Sequence, residues 1–188
     1  MSPLVSNVNQ ILSIATIIGQ GIIVVLILNL IIYKGSGMLS EIISAYGLLF
    51  AFVVVATATL GSLFYSEIAG FEPCKLCWFQ RIFMYPQLIL LGMAFWKKDK
   101  NIGNYGIVLS GLGAIIAVYH YLLQIGLVPS IACSAIGYSV SCSQRFIMNF
   151  GYITIPMMSL TAFLMIFFFL ITQKIGDKSE KRDLSTMR

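Results

Sequence analysis

The sequence predicts an all-α protein whose helices cross a membrane, and two observations carry that expectation. The 188 residues are 59% hydrophobic and only 10% charged, and the charges cluster between long uncharged stretches, the pattern of a polytopic membrane protein without a separate soluble domain. Five of these stretches reach the roughly 20 apolar residues that a helix needs to cross the hydrocarbon core: about 8–33, 42–66, 77–96, 102–125 and 149–173. Each must be helical, because lipid offers backbone amides no other partner.

No Lys or Arg precedes the first stretch, and it is longer than the roughly 7 to 15 apolar residues of a secretion signal, so it reads as a retained span. Three connections are short: 34–41 with its Gly-Ser-Gly turn, 69–73, and the polar turn 97–101. Helices joined so tightly are expected to be antiparallel neighbours. The third stretch contains Pro86, which removes one backbone hydrogen bond and is expected to kink the helix. Gly103, Gly106, Gly111, Gly113, Ala114 and Ala117 lie in the fourth, where small side chains let helix backbones approach closely. The loop at about 126–148 holds Pro129, Cys133, Gly137 and Cys142 and is expected to be a docking surface for a soluble partner. Residues after Gly176 are polar and mostly charged, and are expected to form a flexible basic tail.

Charge sets the orientation. With the N-terminus outside, the inner loops carry Lys34, then Lys97, Lys98 and Lys100, then Lys174, Lys178, Lys181, Arg182 and Arg188, nine of the twelve basic residues. The other three, Lys75, Arg81 and Arg145, stand beside cysteines. The bias toward a positive interior therefore places all four cysteines on the outer face. It also accounts for the net charge of +5 without a nucleic acid, for which the chain has no basic soluble module.

The chemistry centres on Cys74-Lys75-Leu76-Cys77, with Arg81 one helical turn further on. A Cys-x-x-Cys at a helix start benefits from the exposed amides, whose partial positive charge stabilises a thiolate and favours thiol-disulfide exchange. The bland alternative is half of a zinc site. Zinc ribbons normally repeat the spacing, whereas Cys133 and Cys142 are nine residues apart, so no metal is expected. Arg81 is expected about 6 Å deeper along the same helix face as Cys77. A charge at that depth either snorkels to the interface or has a functional partner, here a thiolate or a reducible group.

Cys133 and Cys142 alone read as a structural disulfide bracing an outer loop. Beside an outward Cys-x-x-Cys they read instead as a second redox pair that meets a soluble thiol donor. His120, the sole histidine, falls between Tyr119 and Tyr121; it is a candidate proton donor to a reducible group and, at least as readily, a hydrogen-bonded interfacial residue, and it is not assigned as catalytic. Glu67 and Glu72 are read as solvated. Trp78, Phe79, Phe83 and Tyr85 are candidates for a pocket wall, although interfacial aromatics need no such explanation.

The segment from Cys74 to Pro86, Cys-Lys-Leu-Cys-Trp-Phe-Gln-Arg-Ile-Phe-Met-Tyr-Pro, closely resembles the DsbB/BdbC family of bacterial disulfide bond formation proteins. The likeness extends more loosely over Tyr119 to Gln124, the second cysteine pair, and Gly151 to Pro156. It implies a four-helix transmembrane bundle of DsbB type at 42–173, preceded by one additional N-terminal helix and its cytoplasmic turn at 1–41 and followed by the basic tail at 174–188. It further implies a location in the bacterial cell (inner) membrane and a membrane quinone, ubiquinone or menaquinone, as electron acceptor. The implied partner is a DsbA/BdbD-like thioredoxin-fold oxidase. By resemblance, Cys133 forms the mixed disulfide with that partner, Cys142 communicates with Cys74, and Cys77 faces the quinone with Arg81 beside it.

Two features depart from the family plan: the first span lies outside it, and the second cysteine pair is closely spaced. Proteins resembling vitamin K epoxide reductase share the quinone-linked chemistry but carry the loop pair before the Cys-x-x-Cys, so chain order disfavours that reading. A non-enzymatic scaffold with structural disulfides or zinc is the alternative of a different class.

Overall fold

The computed structural model describes residues 2–32, 37–128 and 142–186, with side chains through Ser179. These residues form five α-helices: α1 (Pro3–Ile32), α2 (Met38–Leu63), α3 (Lys75–Lys97), α4 (Gly103–Gln124) and α5 (Ile155–Thr186). A π-helical turn, Phe64–Ile68, continues α2, and a 3-10 turn, Lys100–Ile102, leads into α4. One isolated antiparallel bridge joins Asn149 to Ile153, and among the described residues no named strand accompanies it. The chain is an all-α membrane protein.

Among the described residues, four segments are long and apolar enough to span a bilayer: Pro3–Ile32, Met38–Ile68, Lys100–Gln124 and Ile155–Ser179. α3, read from the sequence as the third span, is 23 residues long, about 34 Å, but Gln80, Arg81 and Gln87 make it less apolar than the others. Its polar residues face inward. The Ser110 hydroxyl donates to Gln87 Oε1 at 2.8 Å, and Gln80 Nε2 meets His120 Nδ1 at 3.0 Å. These two pairs join the antiparallel helices α3 and α4, and Gln87 and Ser110 are fully buried. The helix runs without a break through Pro86.

α2, α3, α4 and α5 close into a ring, each packed on its neighbours, and α5 has the most extensive contacts. Small residues make the α4–α5 seam tight. A Cβ on Gly106 would lie 2.7 Å from Leu170 Cδ1, and one on Gly113 would run into the ring of Phe163. Phe163, Ile166, Leu91, Ala117 and Val55 form the buried centre. Close packing of small against large residues takes the place here of a hydrophobic drive, since lipid is as apolar as leucine.

α1 lies outside this ring, and its main partner is α5 rather than α2. The short connection between α1 and α2 had suggested antiparallel neighbours; the two touch only slightly, and polar pairing seats α1 chiefly elsewhere. Asn149 Nδ2 donates to Ser13 Oγ at 2.8 Å, Tyr152 Oη donates to Gln20 Oε1 at 2.9 Å, and Gln20 Nε2 donates to Thr161 Oγ1 at 3.4 Å. Gly19 seats the helix against Met165 and Thr161.

The expected flexible tail after Gly176 is also corrected, because α5 continues as a helix to Thr186. Asp177 anchors it one residue beyond that glycine, accepting from Lys100 Nζ at 2.7 Å and from the Ser44 hydroxyl at 2.6 Å. Gln173 Nε2 donates to the Ser44 carbonyl at 3.1 Å. This polar cluster ties α2, the turn before α4, and α5 together at the end of the bundle opposite the cysteines.

Candidate functional site

Cys74 is the N-cap of α3, with extended backbone (φ −71°, ψ 171°), and its Sγ accepts the Cys77 amide at 3.4 Å. The sulfur thus occupies the place of the side-chain oxygen that normally satisfies an orphan amide in the first helical turn. Cys77 follows within that turn, and the two Sγ atoms are 3.1 Å apart. Both are free thiols, so this is the dithiol form. The hydrogen bond from the Cys77 side chain, and then the contact with His120, pull the Cys74 thiol down from 9.0 to about 4 against the opposing effect of burial. Cys74 is therefore the thiolate of the pair at neutral pH.

His120 is 1% exposed and completes the environment of that thiolate. Its Nε2 lies 3.6 Å from Cys74 Sγ and 3.2 Å from the Cys142 carbonyl oxygen, while its Nδ1 faces Gln80 Nε2. A carbonyl can only accept, so Nε2 carries the proton, and Nδ1 accepts from the Gln80 amide. The ring consequently directs one N–H toward both the Cys74 sulfur and the backbone of Cys142. Sequence reasoning had left His120 between an interfacial residue and a proton donor and had not placed it beside Cys74. The structure corrects this, and the missed signal was periodicity: Ser110, Gly113, Ala117, His120 and Gln124 recur at three- and four-residue steps along the buried stripe of α4.

Cys142 is 1% exposed, is disulfide-bonded, and packs in one cluster with Cys74, Leu76 and Leu123. Cys133 lies outside the described residues, as does most of the loop read as a docking surface. Two devices hold the Cys142 segment in place. Arg145 donates through Nε and Nη2 to the carbonyl of Gln124, the last residue of α4, where a cation also meets the negative end of the helix dipole. Aromatic stacking provides the second: Tyr65, Phe71 and Phe146 lie in sequence with ring centroids 5.8 and 5.0 Å apart. This stack links the end of α2, the strand of chain before Cys74, and the chain after Cys142.

On its other side the dithiol borders a cavity of about 280 Å³ lined by α1, α2, α3 and α5. Its walls are mostly apolar, and Cys77, Arg81, Ser62 and Tyr85 supply its polar end. Arg81 does not snorkel outward. Its Nε donates to Ser62 Oγ and its Nη2 to the Ser62 carbonyl, both at 3.0 Å, with the guanidinium 5.2 Å from the Trp78 ring centre and 5.9 Å from that of Tyr85. Of the four aromatics noted in the sequence, Tyr85 lines the cavity, whereas Trp78 and Phe79 are largely exposed. Glu72, read as solvated, is exposed and stands at the cavity rim.

The family model for disulfide bond formation protein DsbB matches residues 44–173. The chain belongs to the DsbB family. Similar proteins include the disulfide bond formation protein C of Bacillus subtilis, 42% identical over 135 residues that cover 69% of this chain and 93% of the relative. A probable disulfide formation protein C 1 of Bacillus cereus is 47% identical over 121 residues, 64% of this chain and 86% of the relative. The prophage-derived disulfide bond formation protein B of B. subtilis is 48% identical over 109 residues, 58% and 72% of the two chains. No solved structure matches the chain. As a member of the DsbB family it is a membrane oxidoreductase of disulfide bond formation, and the match covers the ring of α2 to α5 while leaving α1 outside.

Proposed function

We propose that this chain reoxidises an extracytoplasmic thioredoxin-fold disulfide donor and passes the electrons to a membrane quinone. The observation that carries the reading is the position of one dithiol between two environments. Cys74 touches His120 and packs with disulfide-bonded Cys142, while Cys77 and Arg81 open onto an apolar cavity at the edge of the bilayer-spanning ring.

The steps balance. The reduced partner attacks a disulfide formed by Cys133 and Cys142, leaving through a mixed disulfide as an oxidised partner, and Cys133 and Cys142 become thiols. These reduce a Cys74–Cys77 disulfide and are reoxidised. Cys142 attacks Cys74, against which it packs, and releases Cys77; Cys133 then attacks Cys142, and Cys74 departs readily as a thiolate because the Cys77 hydrogen bond and His120 stabilise its charge. The dithiol then returns to the disulfide by giving two electrons and two protons to the acceptor.

The residues present fit a quinone. The cavity is apolar, its guanidinium keeps N–H groups beyond those used on Ser62, and Cys77 stands in the same wall. Arg81 would hold the carbonyl end of the ring, with Tyr85, whose hydroxyl donates to Ser62 Oγ at 3.3 Å, in the wall beside it, and Cys77 would face it. A bound quinone supplies a lipid-soluble two-electron acceptor. For its part, the chain orients the dithiol, holds the Cys74 charge, and keeps a protonated imidazole nitrogen beside it.

We further assign 42–173 as the redox bundle, 1–41 as an additional helix and turn, and 174–188 as a basic extension, with the cysteines on the outer face of the bacterial cell membrane. Both the extent of the family match and the one-sided distribution of lysines support this. The test is oxidation of a reduced thioredoxin-fold partner by purified protein with added quinone, with each cysteine replaced by Ser in turn. Quinone-dependent oxidation that stops in Cys74→Ser and Cys77→Ser supports the assignment, and full activity in either variant refutes it.

One observation favours a second reading. The donor atoms of Cys74, Cys77 and His120 all lie within 4.8 Å of one another, so the dithiol form has three ligands of the types that zinc accepts. Stoichiometric zinc in protein purified without chelator, together with no quinone-linked turnover, would favour it.

A further inference from the structure

α1 lies outside the family match, yet Leu12, Ala15 and Thr16 form part of the redox cavity wall. This placement is built rather than incidental. Tyr65 Oη donates to Asn9 Oδ1 at 3.2 Å, Asn149 to Ser13 at 2.8 Å, and Gln20 to Thr161 at 3.4 Å, so a polar stripe on an otherwise apolar helix fixes α1 to three segments that surround the cavity.

α1 and α2 line the cavity from opposite sides but scarcely touch. They meet where Leu12 approaches Gly61: a Cβ there would lie 3.4 Å from Leu12 Cδ1, ordinary van der Waals contact. About one helical turn deeper, Ala15 and Thr57 both line the cavity and are both exposed at the surface of the bundle. The cavity is therefore open sideways at that level. The hydroxyls at this opening do not present free donors to it, because Thr16 donates to the Leu12 carbonyl and Thr57 to the Val53 carbonyl.

The cavity is also elongated. Along α2 its lining runs from Tyr65 to Val53, twelve residues or about 18 Å of helix. Its charged and thiol groups, Arg81, Glu72 and Cys77, gather at one end, whereas Val53, Val54 and Ala15 line the other beside threonines whose hydroxyls bond back to their own helices. A polar-headed ligand with a long hydrocarbon chain matches that gradient, whereas a bare ring would leave the apolar end unfilled.

We propose that the slot between α1 and α2 is the lateral portal of the redox cavity, with Ala15 and Thr57 on its two sides, and that it holds the polyprenyl chain of a membrane quinone whose ring lies by Arg81. This rests on the quinone reading above and adds that α1 selects for the tail. Ala15→Phe and Thr57→Phe narrow the slot from opposite sides. Both positions are exposed, so neither substitution overpacks the core; Ile18→Phe, on the lipid-facing side of α1 at 59% exposure, serves as the control.

The full-length protein is assayed with a prenylated quinone and with its tail-less ring analogue. Either slot variant should raise the ratio of prenylated to tail-less KM about fivefold or more, with the control near unity. A ratio unchanged in both slot variants overturns the portal. Photolabelling with a naphthoquinone bearing a farnesyl-length chain tipped with benzophenone decides independently of turnover. Adducts should fall within Pro3–Ile32 and Met38–Leu63 and decline in Ala15→Phe; adducts confined to α3 and α4 would overturn the portal. Wild-type protein lacking quinone-linked turnover would remove the functional reading instead, while the labelling pattern would still decide where a prenyl chain lies.

Discussion

Ionisation of Cys74 in the dithiol form is the most quantitative consequence of the site. Removing the Cys77 side chain, in Cys77→Ala, deletes the largest contribution to the low Cys74 pKa and should raise it from about 4 toward 9.0. At pH 7 an ordinary thiol near 9 is about 1% thiolate, whereas one near 4 is almost wholly ionised, a gain of about 100-fold. Thiolate nucleophilicity falls with basicity along a slope of about 0.4–0.5, so the same change costs about 100- to 300-fold per thiolate. The two nearly cancel at neutrality. What survives is leaving-group quality, which suits Cys74 to depart from a mixed disulfide with Cys142 in the proposed electron path. Near pH 5.5 the ionisation gain reaches about 3,000-fold and dominates.

The measurement is site-resolved alkylation of the reduced protein by a small reagent, followed as a function of pH and paired with ultraviolet thiolate absorbance. Wild-type Cys74 should react at a nearly constant rate from about pH 5.5 to 8, whereas Cys77→Ala should show a rate rising with pH up to about tenfold per unit. A tenfold rise per unit in the wild type between about pH 6 and 8 would refute the argument, because it would make Cys74 an ordinary thiol. The sign for stability follows. The folded pKa is depressed, so the thiolate's contribution to the dithiol form is fully present above about pH 9 and is lost as pH falls through about 4.

Other consequences follow from the same geometry. Arg81→Gln removes the guanidinium anchored on Ser62 and should raise the quinone KM about tenfold or more in a steady-state assay; unchanged KM and turnover would remove Arg81 from the site. Gly113→Ala forces the buried Phe163 ring aside and should cost about 1–3 kcal/mol, read as a lower thermal midpoint in detergent. His120→Ala leaves the buried Gln80 amide and Cys142 carbonyl without their partner; it should destabilise by about 1–3 kcal/mol and, in rapid-mixing experiments, slow electron transfer between the two pairs. Asp177→Asn weakens an ion pair whose lysine is half exposed, so its effect on unfolding should stay within about 1 kcal/mol.

Much of this organisation is local and therefore readable from residues in order. The Cys-x-x-Cys at a helix start follows from turn chemistry between Pro73 and Lys75, and Arg81 falls on the cavity side because four residues make one helical turn. The glycines of α4 announced a close approach, and Phe163 is the residue that fills the space at Gly113. The misses have a common cause, since each depends on a polar side chain finding a partner far away in sequence. His120 pairs with Gln80, 40 residues earlier, and α1 is steered toward α5 by Ser13 and Gln20, whose partners lie more than 130 residues later. The helical extension beyond Gly176 likewise depends on Asp177 meeting Lys100 and Ser44. In each case a polar residue within an apolar helix was the available signal, and its spacing identified the buried face, though not the partner.

The central claim is that electrons leave the partner's thiols through Cys74 and Cys77 and arrive on a quinone. The most direct measurement is the yield of quinol against partner disulfide in an anaerobic reaction of the purified protein. The account predicts about one quinol per disulfide formed, since each is a two-electron change, with both products absent in Cys77→Ser. Partner disulfide accumulating without quinol, or quinol formation persisting in that variant, would contradict it.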